Sequence, residues 1–248
     1  MPPDATGISL QDITLVRGAS PVFEGLSLHL REPRIGLIGD NGAGKSSLFR
    51  LACGLERPRA GRVLVDGEAP GEGAGAGRRI GMMFQSPDEQ IIFPTVDEEL
   101  ALGLTAQGLA RREAQARARE WLAGRGLGHW AGRAISSLSQ GQRQHVCWLA
   151  LLIAAPRVLL LDEPYASLDL PGQALLREEI ARAPQQVLVS THLLDHVRRF
   201  ERVIWLDRGR VRGDGPGAQV CADYEADIAR RAREHVLSFD LSAATASD

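Results

Sequence analysis

A layered α/β fold is what this sequence predicts, and three stretches predict it. The short apolar run Arg34-Ile35-Gly36-Leu37-Ile38 leads straight into the glycine-rich loop Gly39-Asp40-Asn41-Gly42-Ala43-Gly44-Lys45-Ser46, after which residues 45–55 have helical character. Val158-Leu159-Leu160-Leu161 is apolar without interruption, as a strand covered on both faces of a parallel sheet must be. Residues 173–183, 187–189, 193–199 and 203–206 then alternate helix and strand, the pattern of βαβ units.

The remaining elements follow in chain order. Residues 8–16 and 26–30 have strand character and flank the turn Arg17-Gly18-Ala19-Ser20-Pro21, which predicts a small antiparallel unit at the start. Residues 61–67 form another strand and turn, residues 69–77 a Gly/Ala/Glu-rich loop, and Ile80-Gly81-Met82-Met83-Phe84-Gln85 a further strand. Residues 96–130 are helical and polar; Glu113 and Arg117 can pair one turn apart, and the charge run over residues 111–120 is solvated surface. Residues 141–155 form a partly buried helix, and a helix-like stretch over residues 224–236 precedes a polar end.

Bulk properties exclude several classes. A chain of 248 residues, 44% apolar, buries a sizeable core and is not disordered. The net charge of −2 gives no global nucleic-acid footprint. Cys53, Cys147 and Cys221 are too few and too scattered for a disulfide framework or a zinc site. Met1-Pro2-Pro3-Asp4 lacks the charge and apolar run of a signal peptide, and the longest apolar stretch, residues 146–155, is too short to span a bilayer. A reduced cytoplasm and a peripheral membrane contact are therefore expected.

The chemistry starts at Lys45. Of 29 lysine and arginine residues only this one is a lysine, so a compact ammonium has been kept where positive charge must enter a crowded backbone loop. Codon bias accounts for the scarcity of lysine but not for the position of the survivor. Gly39 and Gly44 let the loop turn its N–H groups toward an anion, Lys45 neutralises β- and γ-phosphates, and the Ser46 hydroxyl ligates Mg²⁺. Asp162 emerges at the C-terminal edge of the sheet, where it holds the Mg²⁺ through water, and Glu163 is a candidate general base for the attacking water. Taken alone, an Asp-Glu pair after a strand is equally a helix N-cap.

Leu138-Ser139-Gln140-Gly141-Gln142 precedes that pair and Ser167-Leu168-Asp169 follows it, with Gln85 after a strand and His192 in Ser190-Thr191-His192. With these motifs the chain resembles the ATP-binding-cassette (ABC) ATPases over about residues 8–217. The resemblance implies a P-loop NTPase (RecA-like) core with an N-terminal antiparallel β subdomain and a helical signature subdomain over about residues 96–156, and leaves residues 218–248 as a short C-terminal extension. It implies ATP and Mg²⁺ as cofactors, bound along Gly39 to Ser47 including Asp40, Asn41, Gly42, Ala43 and Ser47. It also implies a head-to-tail dimer, of identical or closely paralogous subunits, in which Ser139, Gln140, Gly141 and Gln142 of one subunit close over phosphates held by the other. Asp169 then reports across the interface, Gln85 senses Mg²⁺ and the water, and His192 hydrogen-bonds the γ-phosphate.

Two departures from the family pattern stand out. Gln140 replaces the first glycine of the usual signature, which is tolerated if its side chain points away from the phosphate. The family's adenine-stacking aromatic aligns near Arg17, which either stacks by its guanidinium plane or is only a turn residue.

The segment Ser86-Pro87-Asp88-Glu89-Gln90-Ile91-Ile92-Phe93-Pro94-Thr95-Val96-Asp97-Glu98-Glu99-Leu100-Ala101-Leu102-Gly103 is similar to the ATPases of energy-coupling-factor transporters. That resemblance implies the ATP-hydrolysing subunit of an importer of cobalt, nickel or a vitamin such as biotin, with a slight lean to metal, on the cytoplasmic face of the membrane. Transmembrane coupling and substrate-binding subunits would dock on residues 88–103, and no nucleic acid would be bound. Ile91, Ile92 and Phe93 are then exposed partner contacts, or else they pack internally. Ala150, where other cassettes carry an arginine, agrees with this group. The C-terminal extension either touches the dimer mate or frays. An ABC importer or exporter of another class, or a soluble ABC ATPase acting on DNA or ribosomes, is the alternative; the last usually needs a coiled-coil insertion or second cassette absent here.

Overall fold

The structure is a computed structural model that describes residues 7–71 and 79–245, with side chains through residue 234. The glycine-rich stretch expected over residues 69–77 falls mostly outside the described residues.

The first strands, β1 (Ile8–Arg17) and β2 (Ser20–Leu30), form a hairpin whose turn is only Gly18-Ala19, so Ser20 and Pro21 already belong to the strand. With β4 (Ala60–Val65) they make an antiparallel sheet of order β2-β1-β4. The buried face of β1 changes parity, from Ile8 and Leu10 to Ile13 and Leu15. A bulge at Asp12, whose φ of 51° is left-handed, absorbs the extra residue and keeps both pairs in the core.

The larger sheet has order β5-β6-β7-β3-β8-β9, formed by β3 (Arg34–Ile38), β5 (Ile80–Met83), β6 (Val158–Asp162), β7 (Gln186–Ser190), β8 (Arg202–Asp207) and β9 (Arg210–Gly215). All pair in parallel except β9, which runs antiparallel to β8. Every residue of β6 is buried, as its apolar run requires. The strand β9 is absent from the sequence reading because its residues, Arg-Val-Arg-Gly-Asp-Gly, are largely exposed and carry no alternation. Helix α1 (Lys45–Ala52) stops three residues short of the expected end: Gly54 takes a left-handed φ of 72° and the N–H of Leu55 closes on the Arg50 carbonyl at 2.9 Å.

Residues 86–156 hold a helical region with its own apolar cluster. It contains α2 (Pro87–Gln90), α3 (Val96–Thr105), α4 (Arg111–Gly124) and α5 (Gln140–Ala154). The continuous helicity expected over residues 96–130 is broken near Gly108, which has φ 99°. The charge run is solvated as expected, since α4 turns only Ala114, Ala118 and Leu122 inward. A Cβ on Gly103 would lie 2.8 Å from the Ala154 Cβ, so α3 and α5 approach closely beside Ala150.

Of residues 193–199, expected to be helical, only Leu194–His196 form a single 3₁₀ turn. Helix α6 (Leu170–Arg182) starts earlier than residue 173 because Asp169 caps it, accepting from the N–H of Gly172 at 2.9 Å. The last helix, α7 (Gly217–Thr245), starts seven residues before the helix-like stretch expected from residue 224 and packs on β8 and β9.

Candidate functional site

Four parallel strands end at the same edge of the large sheet, and each delivers one part of the site. Strand β3 runs into the phosphate loop, β5 into Phe84 and Gln85, β6 ends on Asp162 before Glu163, and β7 ends on Ser190 before Thr191 and His192. A cavity of about 780 Å³ forms there, lined by Arg17, Gly39, Asp40, Asn41, Gly42, Gly44, Lys45, Ser46, Ser47, Gln85, Asp162, Glu163 and His192. Val22 and Tyr224 line it as well. No local pattern announced these two; Tyr224 lies in a helix distant in sequence.

Two glycines of the loop are demanded by space and dihedral together. Gly39 has φ 141°, and a Cβ there would sit 2.1 Å from the Leu206 carbonyl oxygen. Gly44 has φ 107° and would meet the Phe23 ring at 2.7 Å. The Ala43 side chain is buried in the core, where it pins the loop from below.

The Lys45 ammonium folds back across its own loop, donating to the Gly39 carbonyl at 2.7 Å and the Asp40 carbonyl at 3.1 Å. Burial pushes its pKa down, while Glu163, Asp162 and Asp40 push it up; the net direction is downward. An anion of phosphate charge entering the loop offers this cation a stronger partner than two carbonyls.

Glu163 occupies a left-handed φ of 48°, a conformation costing a non-glycine residue about 1–3 kcal/mol and kept mainly where function over-determines it. Its N–H donates to the Ser190 carbonyl at 2.9 Å, and its Oε2 lies 2.9 Å from the Nδ1 of His192. The structure thus brings His192 onto the candidate base itself. Asp162 is buried, whereas Ser46 and Gln85 are exposed to the cavity. Among the described residues no cluster of three or more His, Cys, Asp and Glu side chains is arranged for a metal. The chemistry of Ser46, Gln85 and Asp162 fits Mg²⁺, which takes one or two carboxylates and completes its shell with water and substrate phosphate oxygens.

Arg17 is engaged elsewhere, donating twice to Glu56, from Nε to Oε1 at 2.9 Å and from Nη2 to Oε2 at 2.7 Å. That hydrogen bonding holds its pKa above the ordinary value.

The signature lies apart. Ser139 caps α5 in a reciprocal box: the Gln142 N–H donates to Ser139 Oγ at 3.2 Å, and the Ser139 N–H to Gln142 Oε1 at 3.1 Å. Gln140 donates through Nε2 to the Ser167 hydroxyl at 3.0 Å, so its side chain is tied to the Ser167-Leu168-Asp169 turn. A second cavity, of about 620 Å³, is lined by Ser139 to Gln142, Ser167 to Asp169 and neighbouring residues, and none of its lining residues also lines the phosphate-loop cavity.

The sequence model of the ABC transporter family matches residues 23–166, more than half of the chain. The chain belongs to the ABC transporter family. It is 44% identical over 227 residues to the biotin transport ATP-binding protein BioM of Rhodobacter capsulatus, covering 91% of this chain and 97% of that protein. It is 33% identical over 235 residues to the energy-coupling factor transporter ATP-binding protein EcfA of Methanothermobacter thermautotrophicus, covering 91% and 75%. The solved structure of cbiO1 from Clostridium perfringens, part of the ABC transporter complex cbiONQ, superposes with a TM-score of 0.74 at 27% identity and covers 90% of this chain and 93% of that one.

This ABC ATPase hydrolyses ATP, with Mg²⁺, to drive transmembrane transport, and it is similar to an ATPase of the energy-coupling-factor type. ATPases of this family dimerise and work with membrane components, to which they are peripheral. No helix among the described residues is long and apolar enough to cross a membrane.

Proposed function

We propose that the chain is the ATP-hydrolysing subunit of an energy-coupling-factor importer for biotin, acting as a dimer on the cytoplasmic face of the membrane. Lys45 holds the β- and γ-phosphates, and Ser46, Gln85 and Asp162 hold the Mg²⁺. Glu163 takes the proton of the attacking water, and His192 orients it through the 2.9 Å contact. Since the two half-sites occupy separate cavities, Ser139 and Gly141 would reach the γ-phosphate from a second subunit, presenting the start of α5 to the anion. Asp169, already committed to capping α6, would be held near that junction by its own cap.

Coupling to membrane subunits rests on one observation, the link between Gln85 and the partner groove. Gln90 accepts through Oε1 from the Phe84 N–H at 3.1 Å, joining the strand end before Gln85 to α2. The following turn is held by the buried Glu99, whose Oε2 accepts from the N–H groups of Ile92 and Phe93, both at 2.9 Å. That turn leaves Ile92 72% exposed. A groove of about 260 Å³ lined by Phe93, Ala101, Leu102, Thr105 and Arg111 lies alongside. Of the three apolar residues expected outside or packed internally, Ile91 and Phe93 are half-buried, Ile91 packed against the core clusters. The docking surface is therefore Ile92 with the groove.

Biotin rather than a metal ion is favoured by the 44% identity to BioM, which spans 97% of that protein. Two measurements test the proposal. The tagged chain should copurify with small membrane proteins, and recovery of only ribosomes or DNA would end the transport reading. Deleting its gene should abolish uptake of labelled biotin and spare nickel and cobalt; the reverse pattern would replace biotin by a metal.

A further inference from the structure

The phosphate loop carries a negative charge of its own, Asp40, five residues before Lys45. A carboxylate there competes with nucleotide phosphates for the ammonium and the loop N–H groups. Its backbone is already committed: the Asp40 carbonyl accepts from Lys45 Nζ and from the Ala43 N–H, both at 3.1 Å. The side chain is met from the far end of the chain. Tyr224 donates its hydroxyl to Asp40 Oδ1 at 2.7 Å, and Arg231 donates from Nη1 to Oδ2 at 2.5 Å and from Nη2 to Oδ1 at 3.3 Å. These partners are 184 and 191 residues away and stand about two turns apart on α7.

Both donors are braced in turn. The Tyr224 ring stands edge-on to Trp205 of β8, with centroids 5.2 Å apart. Arg231 pairs through Nε with Asp227 at 2.9 Å, and Asp227 also receives Arg212 of β9 at 3.0 Å and Arg230 at 2.6 Å. Arg212 lies over the Trp205 ring, 4.7 Å from its centroid. Strand β8 is the neighbour of β3, which feeds the loop, and the Leu206 carbonyl packs against Gly39. The C-terminal helix, its two strands and the phosphate loop thus form one connected unit, and the charge of Asp40 is neutralised within it. The pKa of Asp40 is correspondingly low, through Arg231 first and Tyr224 second.

We propose that Tyr224 and Arg231 are positioning residues for ATP binding: they hold Asp40 aside and fix the loop around Lys45, so docking of α7 and nucleotide affinity are coupled. This holds whichever substrate the importer carries. By linkage, nucleotide in the loop also strengthens the docking of α7.

The test uses the full-length chain, calorimetric binding of Mg·ADP, and the KM and kcat of its ATPase. Arg231→Met should weaken Mg·ADP binding and raise the KM for ATP about tenfold with kcat within about twofold, the loss expected of a charge-assisted bidentate pair. Tyr224→Phe, which removes only a hydroxyl, should raise both about threefold and carries the test if Arg231→Met does not fold. Adding Asp40→Asn to Arg231→Met removes the stray charge and should return affinity to within about threefold of the parent, a coupling that a helix-stability effect would not show. Glu225→Ala, a change on the same helix that breaks only the surface pair from Glu225 to Arg198, should leave both constants unchanged. Unchanged affinity in Arg231→Met, or a loss that Asp40→Asn fails to rescue and that lowers kcat and Tm alike, overturns the proposal.

Discussion

In the proposed dimer the phosphate-loop cavity and the signature cavity are two halves of one chemistry, built on different electrostatic plans. The first gathers charge: Lys45, Asp162, Glu163 and Asp40 lie within range of one another, and the pKa of Lys45 falls because burial outweighs three carboxylates. The second gathers fewer charges, the carboxylates of Asp169 and Glu179 among its lining, and would work through the exposed start of a helix capped by Ser139 and Gln142. The difference explains the division of labour. Groups that move protons and hold metal must be pre-set in one rigid sheet edge, whereas a lid that closes on a finished phosphate needs only N–H dipoles and a hydroxyl.

The sharpest way to break this comparison is at the base. Glu163→Gln should cut ATP hydrolysis by about 10²–10⁴-fold while leaving nucleotide binding intact, and should trap an ATP-dependent dimer visible by size-exclusion chromatography. Near-normal turnover would remove Glu163 from that role. Next comes the hook: Lys45→Arg should reduce ATPase activity about 100-fold, since a planar guanidinium cannot occupy the space where the ammonium meets the Gly39 and Asp40 carbonyls. Normal hydrolysis there would make the sole lysine an accident of composition.

On the signature side the effect should be smaller and differently distributed. Ser139→Ala should cost the cap of α5 about 1 kcal/mol and lower hydrolysis, yet leave Mg·ADP affinity of the isolated chain unchanged, because Ser139 does not line that chain's phosphate cavity. A parallel loss of Mg·ADP affinity would merge the two halves. Smallest on the ATPase is Ile92→Asp: turnover of the isolated chain should stay within about twofold, while copurification with membrane subunits is lost, because the change adds a charge only to an exposed apolar contact. Retained copurification would move the docking surface elsewhere.

Much of this was legible in the residues. The loop from Gly39 to Ser46, the Asp162-Glu163 pair, the signature and His192 each owe their place to local rules: a turn that needs glycine, a strand that ends at the ligand edge, a helix that starts on a cap. What was misread follows from the same locality. Strand β9 has no alternation to find, residues 193–199 carry helical periodicity over too short a span to nucleate, and Ile91 is apolar like Ile92 but faces the opposite way.

By itself the sequence determined the chemical inventory of the chain, because the spacing of motif residues along a strand, loop or helix follows from backbone geometry a few residues long. Tertiary structure alone decided which of those groups meet. His192 lies on Glu163, and Gln140 is tied to Ser167. Asp40 finds Tyr224 and Arg231 across 184 and 191 residues because the order of strands in the sheet places β8 beside β3. Such contacts depend on how the layers stack, a property of the whole fold that no stretch of residues carries.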